Sequence, residues 1–432
     1  MKLAIIGCGY VGLVAGACFA AIGHEVTLVD NDPNKIADLQ CGQCPIHEQW
    51  LPNLLSMHRS RMTFTGCLED AVAQSQAVFI AVGTPDDGNG NADLSYVEAV
   101  ARQVAKALKQ YTVIVEKSTV PVQTSAHIRE TMLRNGADPT MFDVASNPEF
   151  LKEGTAVNDF LYPDRIVIGT SSPRAASVLR EIYHPITHNG EVMLIETSVE
   201  SAELIKHASN AFLAMKISFI NAVANICELA GANIDQVVKG IGTDSRIGHQ
   251  FLKPGIGYGG SCFPKDTKAF YSVAASYGYD FRMLKEVMQL NDDQLTMFLH
   301  KICSALWTLR GKKIGVLGMA FKGGTDDTRE SPAMAIIERL LKEGCTIKAY
   351  DPVAMEKAKQ YGLNIIYADS AYHAATGADA LLILTDWHEF AELDLQRLHS
   401  IMDYPIVVDG RNLYDPQQME KAGIKYYSVG RP

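Results

Sequence analysis

Cysteine is scarce in this chain, with nine residues among 432, and the number is odd. So sparse a set excludes a disulfide-stapled scaffold and is typical of a reducing compartment with mostly buried free thiols. We therefore expect a cytoplasmic protein. Cys41 and Cys44 form a C-x-x-C, but its possible partners His47, His58 and Cys67 are irregularly spaced. A zinc or redox site is the weaker interpretation there, and we predict no metal.

Basic residues are also in deficit. Lysine and arginine number 39 against 49 aspartates and glutamates, which gives a formal net charge of −10. That balance argues against a nucleic-acid binder, although a local basic pocket can still hold a small anion. The apolar share of 47% and the charged share of 20% exclude a largely disordered chain. The length suits about three domains at roughly 150 residues each.

Charge is absent from residues 3–23, a run long enough for a membrane helix or a signal peptide. A strand–turn–helix explains the same run better. Residues 3–6 suit a buried strand, and Gly7, Gly9 and Gly12 then form a G-x-G-x-x-G. A helix to about residue 22 follows, and residues 25–29 form a second strand that ends in Asp30. This order of elements predicts a dinucleotide-binding fold.

Each feature of this motif has a physical role in binding. The first glycine permits a tight turn, the second lets backbone approach a pyrophosphate, and the third lets the helix pack on the strand. The helix N-terminus attracts the phosphates. Asp30, 18 residues after Gly12, has the spacing of the acid that binds ribose hydroxyls. Because a carboxylate there repels a 2′-phosphate, NAD is favoured over NADP.

Further short apolar runs end in polar or turn residues, which indicates a doubly wound sheet. In the first half they occupy residues 77–82, 112–115, 143–145 and 165–168. Ligands in such folds bind beyond the carboxyl ends of strands, so Thr84, Thr119 and Glu149 are well placed for a site.

Residues 199–230 show apolar side chains at helical spacing without proline or glycine. This long helix is either a connector or dimerisation element or a plain core helix. A second α/β block begins near residue 312, with strands predicted at 313–317, 346–350, 380–384 and 406–408 and a helix at 331–343. We predict an α/β fold of two Rossmann-like doubly wound domains joined by a long central helix.

The most unusual stretch is residues 255–266. Four glycines in six residues suit a loop whose backbone N–H groups approach a ligand. Cys262 follows beside Lys265 and Asp266 at a predicted helix start, where a thiol ionises more readily and can act as a nucleophile. A buried structural cysteine is an equally open alternative. Lys206 and Asn210 share a helix face and suit an oxyanion, although spacing alone favours two solvent-exposed residues.

Together these motifs resemble the UDP-glucose/GDP-mannose dehydrogenase family, nearly end to end. Besides the glycine motif, Lys206 and Asn210, the matching segments are residues 116–121 (EKSTVP), 147–154 (NPEFLKEG), 246–248 (RIG), 259–266 (GGSCFPKD), 321–322 (FK), 328–331 (TRES) and 409–412 (DGRN). The resemblance implies an NAD-binding domain at 1–198, a central helical domain with the cysteine loop at 199–300, and a nucleotide-sugar-binding domain at 301–432.

The resemblance also implies the chemistry and its residues. The family oxidises C6 of a nucleotide sugar with two NAD per turnover, here UDP-glucose to UDP-glucuronate through a cysteine thiohemiacetal and thioester. The implied catalytic residues are Cys262, Lys206, Asn210, Asp266, Thr119, Glu149 and Glu153. The implied cofactor contacts are Gly7, Gly9, Tyr10, Val11, Gly12, Asp30, Lys35, Thr84, Thr119, Glu153, Lys265 and Arg329. The implied substrate contacts are Glu149, Phe150, Leu151, Lys152, Glu153, Lys206, Asn210, Arg246, Phe251, Leu252, Lys253, Pro254, Gly255, Gly259, Lys322 and Arg411.

Several alternatives stay open beside this interpretation. The same chemistry on GDP-mannose or UDP-N-acetylmannosamine fits the motifs too, and the division of roles between Glu149, Glu153 and Asp266 is undecided. Each basic residue could instead form a surface salt bridge. A catalytically silent NAD-sensing scaffold is disfavoured because the cysteine loop is intact. We expect a homodimer through the central helix, with no nucleic-acid or membrane partner.

Overall fold

The computed structural model of the protein describes residues 1–88 and 90–432. It divides into two compact units. The first comprises residues 1–209 and 268–278, and the second comprises residues 210–267 and 279–432. The three-part division predicted from the sequence, with bounds at residues 198 and 300, stays a prediction.

The first unit contains eight strands and the helices between them. In chain order its elements are β1 (Lys2–Ile6), α1 (Tyr10–Ala21), β2 (Glu25–Val29), α2 (Pro33–Gln40), α3 (Leu51–Met57), a 3₁₀ turn (Arg59–Arg61), β3 (Met62–Thr65), α4 (Leu68–Gln74), β4 (Ala77–Ile80), α5 (Ser95–Ala107), β5 (Thr112–Glu116), α6 (Thr124–Arg134), β6 (Phe142–Ser146), α7 (Ala156–Leu161), β7 (Arg165–Gly169), α8 (Pro173–Thr187) and β8 (Met193–Thr197). The strands form one sheet in the order β3-β2-β1-β4-β5-β6-β7-β8, parallel except for the β6–β7 pair.

Helix α9 (Val199–Ala230) and helix α11 (Phe263–Ser276) each begin in one unit and end in the other. The remaining elements belong to the second unit: α10 (Ile234–Gly242), α12 (Arg282–Leu306), β9 (Lys313–Leu317), α13 (Pro332–Lys342), β10 (Thr346–Tyr350), α14 (Met355–Lys359), β11 (Ile366–Tyr367), α15 (Ala371–Ala375), β12 (Ala380–Ile383), α16 (His388–Ala391), α17 (Leu395–Ile401), β13 (Ile406–Asp409), α18 (Pro416–Lys421) and β14 (Lys425–Tyr427). Their sheet is parallel in the order β11-β10-β9-β12-β13-β14.

Each sheet has a hydrophobic core on both faces. On β1, Leu3 and Ile5 pack into one cluster while Ala4 and Ile6 pack into another. Successive side chains of a strand point to opposite faces, so a strand covered by helices on both sides is apolar throughout. Because of that burial, the central strands are continuous apolar runs, and the sequence predicted them as strands.

The fold class predicted from the sequence is confirmed: two Rossmann-like domains with parallel sheets, joined along the chain by a long central helix. The N-terminal run is strand β1 followed by the 12-residue helix α1. Within the described ranges, α9 is the one helix long and apolar enough to cross a membrane. Length and composition are the only grounds for that, and the core helix of a soluble protein satisfies the same criteria.

Candidate functional site

The dinucleotide motif lies where β1 turns into α1. Gly7 has φ +103°, which favours glycine, and a Cβ there would lie 2.6 Å from the carbonyl oxygen of Ala81. A Cβ on Gly12 would lie 1.9 Å from the carbonyl oxygen of Gly7, so only glycine lets the helix pack this closely. Gly9 faces open space at the N-terminus of α1. This cradle fits the pyrophosphate of NAD.

Asp30 is fixed at the carboxyl end of β2. Its carboxylate accepts hydrogen bonds from the backbone N–H groups of Cys8 (2.8 Å) and Asp32 (3.0 Å) and from Lys35 Nζ (2.9 Å). Burial acts to raise its pKa, but Lys35 and the N–H donors hold the pKa of Asp30 below its usual value. A permanently ionised acid at this edge suits ribose hydroxyls, as the sequence predicts.

Two of the predicted polar residues meet beside this motif. The Thr84 hydroxyl donates a 2.9 Å hydrogen bond to the backbone carbonyl of Thr119. Ser118 fixes the same stretch by donating to the carbonyl of Val82 at 2.8 Å. The ends of β4 and β5 are thereby held together at the edge of the sheet where dinucleotides bind.

Glu149 and Lys206 form a buried ion pair in the first unit. Lys206 Nζ lies 2.9 Å from Glu149 Oε1, and the two side chains are 5% and 6% exposed. The other carboxylate oxygen of Glu149 accepts from the N–H of Leu151. Lys206 also lies 5.5 Å from the ring centroid of Phe150. The solvent-exposed alternative for Lys206 is therefore wrong, because the helix face that carries it packs against the segment after β6.

A second buried cation lies close to this pair. Lys117 donates to the side-chain carbonyl of Asn147 at 3.1 Å and is 3% exposed. Burial lowers the pKa of Lys117 to about 8, with the Glu149 carboxylate opposing the shift and the Lys206 ammonium adding to it. Asn147 also accepts from the Tyr183 hydroxyl. The sequence motif contained Lys117 but gave no sign of this role.

Asn210, one turn after Lys206 on α9, is buried in the second unit. Its amide donates to Asp266 Oδ2 at 2.6 Å, while Lys265 Nζ lies 2.6 Å from Asp266 Oδ1. Asp266 is 1% exposed. The solvent-exposed alternative is therefore wrong for Asn210 as well. An amide, a carboxylate and an ammonium in contact form a site that can move a proton and stabilise an oxyanion.

Cys262 is exposed at the N-terminus of α11. Its backbone carbonyl accepts the N–H of Asp266 at 2.8 Å, which confirms the predicted helix start. The Ser261 hydroxyl lies 3.6 Å from its sulfur. An exposed thiol at this position is open to an electrophile.

The glycines before Cys262 allow close packing within the second unit. A Cβ on Gly259 would lie 2.3 Å from the carbonyl oxygen of Glu330, and one on Gly260 would lie 2.7 Å from the ring of Phe321. The N–H of Gly260 donates to the carbonyl of Arg329 at 3.0 Å. Two of the matching motifs therefore pack directly on the cysteine loop.

Residues 251–255 meet the end of β13 in the same unit. A Cβ on Gly255 would lie 3.0 Å from the carbonyl oxygen of Gly410. Lys253 Nζ lies 3.3 Å from Asp386, and Arg411 donates to the carbonyls of Phe321 (2.6 Å) and Leu384. Burial acts to raise the pKa of Asp386, but Arg411 and Lys253 lower it to about 2. Arg411, just beyond the carboxyl end of β13, and Lys253 place positive charge where an anionic nucleotide can bind.

Of the other predicted contacts, Arg246, Arg329 and Lys152 are exposed and pair with neighbouring acids, whereas Lys322 lies beside an aromatic ring. Arg246 pairs with Asp244, and Arg329 pairs with Asp327. Lys152 Nζ lies 3.4 Å from Asp159, and Lys322 Nζ lies 5.6 Å from the ring centroid of Phe321. Their assignments as ligand contacts stay predictions.

Sequence reasoning missed two buried carboxylates in the first unit. Glu203 on α9 accepts from the N–H groups of Gln123 and Ser125 and from the Ser125 hydroxyl, which holds the start of α6. Glu48 accepts from Tyr10, Gly154 and Ala156. The acidic side chains gave no local signal, because their partners are distant in the sequence.

The cysteines depart from one expectation. Only Cys8, Cys18, Cys227 and Cys345 of the nine free cysteines are buried, so the prediction of mostly buried thiols is wrong. Cys41 of the C-x-x-C is exposed. Within residues 1–88 and 90–432, no group of three or more His, Cys, Asp or Glu side chains is arranged to hold a metal ion.

Three family models match successive parts of the chain. They are the NAD binding domain (residues 1–187), the central domain (200–293) and the UDP binding domain (315–416) of the UDP-glucose/GDP-mannose dehydrogenase family. The UDP-glucose 6-dehydrogenase of Rhizobium meliloti is 48% identical over all of both chains. UDP-glucose 6-dehydrogenase TuaD of Bacillus subtilis is 45% identical, covering all of this chain and 93% of that one. A solved UDP-glucose dehydrogenase of Pyrobaculum islandicum superposes with a TM-score of 0.92 at 38% identity, covering 100% of this chain and 98% of that one.

Proposed function

The chain belongs to the UDP-glucose/GDP-mannose dehydrogenase family, and we propose that it is a UDP-glucose 6-dehydrogenase, oxidising C6 of UDP-glucose to the carboxylate of UDP-glucuronate. Full-length identity of 42–48% to UDP-glucose 6-dehydrogenases supports this substrate. The structural observation that carries the chemistry is on α9, where Lys206 and Asn210 are both buried and both contact a carboxylate.

NAD supplies the hydride acceptor for each of the two oxidations. Gly7, Gly9 and Gly12 would hold its pyrophosphate, and Asp30 would accept hydrogen bonds from its ribose hydroxyls. Lys35 keeps Asp30 ionised and in place through their 2.9 Å contact. The remaining chemistry falls to side chains of the protein.

We assign the covalent step to Cys262. Loss of a hydride and a proton converts the C6 alcohol to an aldehyde, and the thiolate adds to that aldehyde to form a thiohemiacetal. Loss of a second hydride and proton gives a thioester. Water then attacks the thioester carbonyl, the C–S bond breaks, and the products are the uronate and the free thiol. A covalent link keeps the aldehyde on the enzyme between the two oxidations.

We assign charge stabilisation at the C6 oxygen to Lys206 and Asn210. Both are held by carboxylates before any substrate binds, so little reorganisation is needed when negative charge develops. Asp266, and Glu149 or Glu153, are the candidate bases for the alcohol and for the hydrolytic water, with Thr119 holding that water.

The nucleotide is assigned to residues of the second unit. Arg411, held by two backbone carbonyls, and the more exposed Lys253 supply positive charge, and Lys322 adds a third cation beside Phe321. Phe251, Leu252, Pro254, Gly255 and Gly259 are proposed to line the sugar pocket. Binding energy from the remote diphosphate can then position C6 for hydride transfer.

We propose a homodimer through α9, because an apolar stripe runs along the second unit. Phe212, Phe219 and Ile226 recur every seven residues on α9 and are 54–61% exposed. Helix α12 runs beside α9 in the same direction, since Ser218 and Asn225 of α9 bond to residues 287 and 294. On α12, Met283, Leu290 and Met297 also recur every seven residues and are 38–57% exposed. Six large exposed apolar side chains on two parallel helices suit a second copy of the same surface. Light scattering on Phe219→Glu tests this, and a monomer is the expected result.

We place the enzyme in the cytoplasm, where NAD is available and nine free cysteines stay reduced. The alternative substrates are GDP-mannose and UDP-N-acetylmannosamine. Two solved UDP-N-acetylmannosamine dehydrogenases share the fold at lower identity, 27% and 23%. The curated relatives favour UDP-glucose over both alternatives.

The test measures NADH formed per sugar consumed, with UDP-glucose and the two alternative sugars in parallel. About two NADH per UDP-glucose, with uronate as product, is the expected result for the thioester route. Cys262→Ala should yield no more than about one NADH per sugar. Cys303→Ala, which removes another exposed thiol, is the matched control and should behave as the unaltered enzyme. Full turnover by Cys262→Ala would refute the covalent step, and turnover of another sugar alone would refute the substrate assignment.

A further inference from the structure

A buried carboxylate outside every recognised motif joins two parts of the first unit. Glu48 lies between α2 and α3 and is 4% exposed. Its Oε2 accepts from the Tyr10 hydroxyl and from the N–H of Gly154 at 2.7 Å. Its Oε1 accepts the N–H of Ala156 at 2.9 Å. Three donors converge on one carboxyl group, which is therefore well compensated for its burial.

The donors come from two segments with separate tasks. Tyr10 follows Gly9 directly and begins α1, so it is part of the pyrophosphate cradle. Gly154 ends the segment that carries Glu149 and Glu153. Its φ of +86° lies in the left-handed region that favours glycine. Glu153 lies close enough to Tyr10 to act electrostatically on its hydroxyl.

The segment 149–154 is held at both ends by buried carboxylates. At one end Glu149 pairs with Lys206, and at the other end Glu48 holds the N–H of Gly154. The N–H of Gly154 also donates to the Tyr10 oxygen at 3.0 Å. Tyr10, Glu48 and Gly154 thus form a closed triangle, and none of the three can shift without weakening two contacts.

We propose that Glu48 is a positioning residue that couples cofactor binding at the α1 N-terminus to the position of segment 149–154, and so to nucleotide-sugar binding. This inference rests on the proposed function. A pyrophosphate fixes the first turn of α1 and with it Tyr10. Because a buried carboxylate that loses a donor is destabilised, a fixed Tyr10 also fixes Gly154 through Glu48. Coupling of binding free energies is reciprocal, so the sugar must tighten cofactor binding by the same factor.

The Tyr10 hydroxyl stays a donor at every working pH. Burial raises its pKa, and the hydrogen bond to the Glu48 carboxylate raises it further. The contact is therefore not a pH switch, and its effect should appear as ligand coupling at constant pH.

The test titrates NADH, by its fluorescence, into the enzyme with and without saturating UDP-glucose, a pair that cannot react. UDP-glucose should tighten NADH binding at least about five-fold in the unaltered enzyme. Tyr10→Phe keeps both backbone donors of Glu48 and removes only the hydroxyl. It should abolish most of this coupling and so raise KM for UDP-glucose by about the same factor, roughly five-fold, because the coupling is reciprocal. Glu48→Gln should also reduce the coupling and raise KM for UDP-glucose. The reason is that the NH2 group of the glutamine amide would then face a hydrogen-bond donor that the Glu48 carboxylate accepts from.

Tyr111→Phe is the matched control. It removes another tyrosine–carboxylate bond of the first unit, 2.7 Å from Tyr111 to Asp143 beside β5 and β6. It should leave coupling and both KM values unchanged, even where it lowers stability as much as Tyr10→Phe does.

The outcomes separate this inference from the proposed function. Unchanged coupling in Tyr10→Phe, or an equal loss in Tyr111→Phe, would overturn the role of Glu48 while UDP-glucose turnover stands. NADH binding that UDP-glucose does not alter in the unaltered enzyme would overturn it as well. Absence of UDP-glucose turnover by the unaltered enzyme would overturn the proposed function itself.

Discussion

Replacing Lys206 by methionine separates the structural role of the buried ion pair from its role in turnover. Lys206 and Glu149 are 2.9 Å apart and almost completely buried. Removing Lys206 leaves the buried Glu149 carboxylate without its ion-pair partner, for which we expect a loss of about 3–5 kcal/mol in the free energy of unfolding. Glu149→Gln in the same chain removes that charge, so Lys206→Met/Glu149→Gln should recover most of the loss.

In these Lys206 and Glu149 variants, kcat should not change in parallel with the free energy of unfolding. If Lys206 stabilises negative charge on the C6 oxygen, Lys206→Met should lower kcat by about 10²- to 10³-fold, the usual effect of removing one oxyanion donor. The double variant should stay equally slow although it is stable again. Urea unfolding followed by circular dichroism measures the first quantity, and NADH formation from UDP-glucose measures the second.

Arg180→Met is the control that shows what the loss of an exposed ion pair does to stability and to turnover. Arg180 and Glu196 are 3.1 Å apart but 50% and 40% exposed, so their pairing contributes no more than about 1 kcal/mol. This variant should keep wild-type turnover. A Lys206→Met enzyme within ten-fold of wild-type kcat would refute the donor role. A double variant as unstable as the single one would refute the argument from buried charge.

Three further predictions concern buried groups and the glycine loop. Burial raises the pKa of Glu116 well above its usual 4.5. The folded protein therefore binds the Glu116 proton more tightly than the unfolded chain does, and the free energy of unfolding falls as the pH rises above 4.5. In Glu116→Gln, the free energy of unfolding measured between pH 5 and 8 should fall less steeply with pH than in the unaltered protein. The same pH dependence in both proteins would contradict this prediction. For Asp386 the folded pKa is about 2 against a usual 3.8, with Arg411 as a main cause, so its stabilisation is present above pH 3.8 and is lost as the pH falls to about 2. The shift corresponds to about 2.4 kcal/mol, which a side chain one-third exposed to solvent reduces to about 1–1.5. Asp386→Asn should lose that amount in urea unfolding at pH 7 and none near pH 2. Gly259→Ala places a Cβ 2.3 Å from a backbone oxygen and should cost about 1–3 kcal/mol with loss of turnover, whereas Gly240→Ala in α10, which faces open space, should be neutral or stabilising in the same assays.

The strands that the sequence predicted are those in the interior of the two sheets. Strands β2, β9 and β10 match their predicted bounds, and β1, β4, β5, β6, β7, β12 and β13 lie within two residues of them. The predictions missed β3, β8, β11 and β14. Strands β3, β11 and β14 are short, and all four missed strands lie at the edges of the sheets. Edge strands have partly exposed side chains, so their apolar pattern is weak.

The residues of the candidate site also differ in whether the sequence alone could identify them. The glycine motif and Asp30 were readable because the phosphate cradle and its acid are local in the chain. For Lys206 and Asn210, spacing alone favoured solvent exposure, and only the packing of α9 shows them buried against carboxylates. Glu48 had no signal at all, because its partner Gly154 is 106 residues away.

The sequence by itself determined the order of strands and helices, the dinucleotide motif and the family. These depend on periodicity and on residues close together along the chain. The tertiary structure alone decided which charges are buried and with what they pair: Lys206 with Glu149, Asn210 with Asp266, and Glu48 with Tyr10 and Gly154. The reason is that burial of a charge is tolerated only where distant segments bring compensating donors or opposite charges to it.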